Sequence, residues 1–77
     1  MVYKKTAMTI TENGWVIINI GHPTTGKSYI VSNSFQYLRR EAIRQFCAGT
    51  NSPWKYWRKE YNFRCVKAIQ TIKTQEP

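Results

Sequence analysis

The densest chemistry in this chain lies between Trp54 and Arg64. There Trp54, Tyr56, Trp57, Tyr61 and Phe63 are interleaved with Lys55, Arg58, Lys59 and Arg64. Lys and Arg meet phosphates and exposed aromatic rings stack on bases, so this mixture suits single-stranded nucleic acid. A helix bearing the same arginines also fits the major groove of a duplex, where Arg reads guanine edges. The competing role is packing. Trp54, Trp57 and Tyr61 at i, i+3 and i+7 share one side of a helix and would fasten it to a sheet. Only the Lys/Arg side then remains, which gives backbone binding without sequence readout. Tyr56 lies off that stripe and is the side chain best placed to stack. Upstream, Arg39, Arg40 and Arg44 sit on a second helical stretch, with Arg40 and Arg44 one turn apart. They either join Lys55, Arg58 and Lys59 in one positive face or are simply solvated. The candidate site is therefore Arg39, Arg40, Arg44, Lys55, Tyr56, Arg58, Lys59 and Arg64.

Other chemistry is thinner. Gly21-His22-Pro23-Thr24-Thr25-Gly26-Lys27-Ser28 matches the phosphate-cradling string G-x-x-x-x-G-K-[ST] letter for letter. That motif works only when free loop amides wrap the phosphates and a helix starts at the Lys-Ser. Here Tyr29-Ile30-Val31-Ser32 follows, a strand by propensity, and the chain has no Asp to hold magnesium. A loop between strands is the expectation, with nucleotide binding as the remote alternative. Cys47 and Cys65 with the single His22 are too few ligands for zinc. A reduced, structural pair of thiols is expected, although the sequence leaves a disulfide open. The four Glu show no pairing that suits acid–base catalysis. No catalytic residue, metal or cofactor is expected.

The elements that must position these residues are read from periodicity. Asn13-Gly14 between β-prone runs predicts a two-residue hairpin turn, with Glu12 opposite Trp15 and Ile10 opposite Ile17. Tyr29–Ser32 reads as a third strand. Leu38, Ala42 and Phe46, with Ile43 and Cys47, predict an amphipathic helix of about three turns. Ser34 would cap it, unless it starts two or three residues later, and Gly49 stops it. A second helix should run from Pro53 to about Tyr61 and end at a left-handed Asn62. Phe63–Ile72 makes a last strand whose imperfect alternation means either a bulge or a half-exposed face. The order is β-β-β-α-α-β: an α+β domain with an antiparallel sheet of three to four strands and two helices on one face.

Length and charge bound the rest. Seventy-seven residues suggest a single small domain spanning 1–77, with residues 74–77 frayed. The net charge is +8, and residues 39–67 alone hold eight Lys/Arg against Glu41 and Glu60. Anionic partners are favoured: nucleic acid, an acidic protein face or an anionic membrane. No apolar run is long enough to span a bilayer. Lys4 and Lys5 are not followed by an apolar block, so no signal peptide is read and a cytosolic setting is expected.

Ser34-Phe35, Arg39-Arg40-Glu41-Ala42-Ile43, Phe46, Trp54, Trp57, Tyr61 and Phe63-Arg64-Cys65-Val66 together resemble a pattern in small, mostly uncharacterised proteins encoded by bacteriophages and prophages. The likeness covers residues 34–69. Asn62 stands where that pattern has Gly. The resemblance implies a viral accessory role in the host cytoplasm and carries over no catalytic residue. It also implies that a host enzyme or defence complex, such as a CRISPR effector, is a candidate target for inhibition. The leading expectation is a non-enzymatic, basic accessory protein that binds nucleic acid or a nucleic-acid complex through its Lys/Arg/aromatic helical face. The alternative is a protein–protein inhibitor, with no membrane or metal involved. The sequence leaves the oligomeric state open.

Overall fold

The structure, a computed structural model, describes residues 8–74. Lys4, Lys5 and the residues after Thr74 lie outside that range. Five elements follow one another: β1 (Thr9–Ile20), β2 (Ser28–Ile30), α1 (Arg39–Cys47), α2 (Trp54–Tyr61) and β3 (Phe63–Lys73). The strands form one antiparallel sheet in the order β2-β1-β3. The class is α+β, with a three-stranded sheet and two helices.

The Asn13-Gly14 hairpin does not exist. β1 runs unbroken through both residues, and Asn13 pairs with Ile69 and Gly14 with Ala68. Ile10 therefore faces Ile72 rather than Ile17, and Glu12 faces Gln70 rather than Trp15. Two expected strands are one, and the order is β-β-α-α-β. The reason is visible at Gly14, whose φ is not positive. Its missing side chain is needed for close approach instead of a turn. A Cβ there would lie 2.6 Å from the Gln36 carbonyl oxygen and 2.7 Å from Phe35 Cε2. Tertiary pairing along eleven β1–β3 positions outweighs one local turn preference.

The same edge of β1 explains why α1 starts late. After β2, the chain stays on β1: the Val31 amide donates to the Ile17 carbonyl, and Trp15 and Gln36 exchange two backbone bonds. Ser34 is held in that return. Its Oγ accepts the Ile17 amide at 3.0 Å and donates to the Val31 carbonyl at 2.7 Å. It is therefore not the helix cap; Leu38 takes that place without a side-chain bond. Leu38, expected on the buried stripe, is exposed. The C-terminus behaves as expected, with Ala48 as cap and Gly49 at φ 78°.

Both helices pack on the sheet face that carries Trp15, Ile17, Asn19, Phe63 and Cys65. Ile17, Ala42 and Phe63 are the buried apolar core, with Ile43, Phe46, Trp54, Trp57 and Tyr61 against it. Phe46 is the hub, its ring 4.7 Å from Phe63, 5.8 Å from Trp54 and 6.0 Å from Trp57. The tryptophans thus serve packing, in geometries that favour aromatic edges against faces. The opposite sheet face carries Ile10, Val16, Ile18, Ile20, Ile30, Val66 and Ile72, of which Ile10, Ile20, Ile30 and Ile72 are exposed.

α2 begins at Trp54 with Pro53 as its cap residue, one position later than expected. It ends at Asn62 in the left-handed region, φ 60° and ψ 32°. Asn62 does more than terminate the helix. Its Nδ2 donates to the Gly21 carbonyl at 2.8 Å, and its own carbonyl accepts the Ile20 amide at 3.1 Å. Asn62→Val should cost about 2–3 kcal/mol, from left-handed strain on a β-branched residue and the lost bond. Asn62→Gly should cost about 1 kcal/mol or less, because only the bond is lost. Urea midpoints of the two variants check the ranking.

β3 pairs with β1 without a bulge, so its imperfect alternation reflects a half-exposed face. Thr74, expected to fray, is tied to Met8, the residue before β1. Its amide donates to the Met8 carbonyl at 2.8 Å, and its Oγ1 accepts the Met8 amide at 2.7 Å.

Candidate nucleic-acid interface

Lys55, Arg58 and Lys59 project from the exposed side of α2, since the side bearing Trp54, Trp57 and Tyr61 is committed to the core. The tight left-handed turn at Asn62 brings β3 back beside the helix. Arg64, the second residue of β3, thereby reaches α2. Its Nη1 donates to the Arg58 carbonyl at 2.9 Å and to the Phe63 carbonyl at 2.8 Å. The Arg58 carbonyl lies in the last turn of α2, where carbonyls lack helical partners and the helix dipole is negative. Arg64 is thus anchored by one nitrogen, and Nη2 and Nε are left for another acceptor.

These four side chains line a cleft of about 290 Å³ that no other residue lines. Among the described residues, no carboxylate lines the cleft or pairs with these four cations. Glu60 is close in sequence but makes no ion pair. Among the described residues the one ion pair is Arg44–Glu41, at 2.6 Å. There Arg44's hydrogen bond holds the Glu41 carboxyl below its ordinary range, with Arg44 and Arg40 charges adding to it. Uncompensated like charges repel, so the cleft is a standing demand for an anion.

The remaining candidates are placed elsewhere. Arg44 is occupied by Glu41 through both Nε and Nη2. Arg39 lies beside Cys65, whose thiol points at the Arg39 carbonyl from 4.0 Å. Arg39, Arg40 and Arg44 do not line the cleft. Tyr56 is 40% exposed, and its ring is already engaged edge-on with Trp57 at 5.3 Å and tilted against Tyr61 at 5.8 Å. The neighbouring Tyr61 hydroxyl, then burial and the Glu60 charge, push its hydroxyl's pKa up. Part of the ring remains available for stacking.

The Gly21–Ser28 segment is a β1–β2 connection that spends four of its amides on internal bonds. His22 N–H donates to the Lys27 carbonyl at 3.0 Å, and Gly26 N–H to the His22 carbonyl at 2.6 Å. Thr24 N–H donates to His22 Nδ1, and Lys27 N–H to Thr25 Oγ1. Ser28 opens a strand. No cradle of free amides and no helix N-terminus stand there. Cys47 and Cys65 are not bonded to each other, and burial pushes both thiols up, away from the reactive thiolate. Among the described residues no three His, Cys or Glu side chains cluster as metal ligands, and no helix is long and apolar enough to cross a membrane.

One feature was invisible in the sequence: a groove of about 610 Å³ lined by Asn13, Gly14, Trp15, Tyr37, Lys67, Ala68 and Ile69. Lys67 Nζ sits 5.9 Å from the Trp15 ring centre, within cation–π reach. Trp15 and Lys67 are 52 residues apart, and only the β1–β3 register brings them face to face.

No protein family, no curated protein and no solved structure matches the chain.

Proposed function

We propose that this chain is a non-enzymatic nucleic-acid-binding protein that grips the phosphate backbone with Lys55, Arg58, Lys59 and Arg64. The observation that carries this reading is the cleft lined by those four cations alone, with no carboxylate in ion-pair range among the described residues. Arg64 gives the cluster a fixed member, held to the helix by its Nη1. Because the tryptophans are packed inward, affinity comes from phosphates and sequence preference is weak. Tyr56, at the rim of α2, adds a stacking contact for an unpaired base.

Fluorescence anisotropy with labelled single- and double-stranded oligonucleotides tests this. Four phosphate contacts give a plot of log affinity against log salt with a slope of about −3 for single strands and −3.6 for duplex. Between 50 and 200 mM salt the affinity should therefore fall roughly 50- to 150-fold. No binding at 50 mM salt, or a flat salt response, would refute the proposal. Retention of a host protein after nuclease treatment, together with no oligonucleotide binding, would move the same surface to an acidic protein face.

A further inference from the structure

We infer that β3 is the dimerisation edge of this protein, pairing antiparallel with β3 of a second copy about a two-fold axis at Ile69. β3 ends the sheet, since the order is β2-β1-β3. The Thr74 amide bonds to Met8, so the even-numbered residues of β3 turn their backbone groups toward β1. The odd-numbered residues turn theirs outward. At the N-terminal end that outer side is occupied, with Arg64 on the Phe63 carbonyl and Cys65 against Arg39. From Lys67 onward no described residue covers it. The amides and carbonyls of Lys67, Ile69, Thr71 and Lys73 have no partner among the described residues, and all four residues are exposed.

An open edge of this kind is a template for another strand, and monomers usually blunt it with Pro, a bulge or a central charge. Lys67 and Lys73 stand at the two ends of the open stretch, but Ala68-Ile69-Gln70-Thr71-Ile72 between them has none of these. It carries no charge and no Pro, and the register through it is unbroken. Ile69 is the most exposed large apolar side chain described, at 69%.

The occupant is a second copy because the strand is complementary to itself. With Ile69 on the axis, Ile69 meets its equivalent, Ala68 meets Gln70, Lys67 meets Thr71 and Val66 meets Ile72. The outward-facing odd residues fall opposite one another as hydrogen-bonded pairs, so every free amide from 67 to 71 gains a carbonyl. The two registers adjacent to this one are less favourable. Moving the axis to Gln70 sets Lys67 against Lys73, and like charges directly opposite are destabilising. Moving it to Ala68 sets Arg64, already anchored to α2, against Ile72. The two-fold pairing continues the sheet to six strands and joins the exposed Ile72 of each copy to the partner's Val66.

Sedimentation equilibrium on the full chain, without nucleic acid, tests this independently of the proposed function. The wild type should sediment at twice 9.1 kDa, the monomer mass. Thr71→Pro removes an outward amide, and Ile69→Lys puts two ammonium groups on the axis; both should sediment as monomers with unchanged far-UV circular dichroism. Ile30→Lys, an equally exposed isoleucine beyond the other edge, should remain a dimer. Hydrogen exchange on the wild type provides a readout that needs no variant. The amides of Lys67, Ile69 and Thr71 should be protected at high protein concentration and lose protection on dilution. A wild type that is monomeric up to several hundred micromolar, or amides there that exchange freely at every concentration, would overturn the inference. So would an Ile69→Lys protein that stays dimeric.

Discussion

Replacing Gly14 by alanine should destabilise the protein by about 2–3 kcal/mol, the upper part of the range for forcing atoms into a filled site. The added methyl would meet the Gln36 carbonyl oxygen at 2.6 Å and the Phe35 ring at 2.7 Å. The first is backbone, held by two bonds between Gln36 and Trp15. It can move only if the chain between β2 and α1 moves with it. Gly26 is the matched control. It sits at φ 70° with nothing near its missing side chain, so Gly26→Ala should cost about 1 kcal/mol, from left-handed strain alone. Asn13→Thr completes the set. Within a strand and opposite Ile69, threonine should be neutral to slightly stabilising. In a tight turn that needs a positive φ it would be costly. Urea midpoints for the three variants separate the outcomes. A harmless Gly14→Ala with a damaging Asn13→Thr would mean that β1 is broken at this dipeptide.

Removing Lys55, Arg58 and Lys59 together, each to Ala, should reduce duplex affinity at 50 mM salt by roughly 3,000-fold. Each lost phosphate contact flattens the salt slope by about 0.9. If affinities converge near 1 M salt, that is about fifteenfold per contact at 50 mM. The slope should fall from about −3.6 to about −0.9, leaving Arg64 alone. All three side chains are exposed, so melting temperature should barely change. Arg64 is left intact because it also fastens the end of α2. Arg44→Ala is the control. That guanidinium is already neutralised by Glu41, and its loss should leave the slope within about 0.5 of wild type. A triple variant that keeps the wild-type slope would show that the cations of α2 do not touch phosphate. A fall in affinity with an unchanged slope would point to a non-ionic contact such as Tyr56.

The helices and the last strand were legible because their signals are local. The spacing of Ala42 and Phe46, the Trp54–Trp57–Tyr61 stripe and the left-handed Asn62 each depend on neighbours within two turns. The Asn13-Gly14 hairpin misled for the opposite reason. Its local preference is real, but the deciding partners, Phe35 and β3, lie more than 20 residues away along the chain. Ser34 carried a cap residue's chemistry and spent it on the Ile17 amide, a use that no window around Ser34 reveals. The candidate site divides along the same line. Lys55, Arg58 and Lys59 cluster because one helix carries them. Arg64 joins because Asn62 folds β3 back on that helix. Arg39, Arg40 and Arg44 share the sign of charge but not the cleft. Composition records charge, and only the fold records which charges meet.

Asn13-Gly14 has one more property, and it concerns ageing. An asparagine followed by glycine is the dipeptide most prone to lose ammonia, because the small neighbour lets its own amide nitrogen attack the side-chain carbonyl and close a succinimide. That attack needs a backbone twist that an extended, ladder-paired strand forbids. Held opposite Ile69 and Ala68, the dipeptide is chemically sheltered. Isoaspartate at position 13 would then accumulate only through moments when the ribbon comes apart, so its slow appearance in stored protein would serve as a clock for that opening.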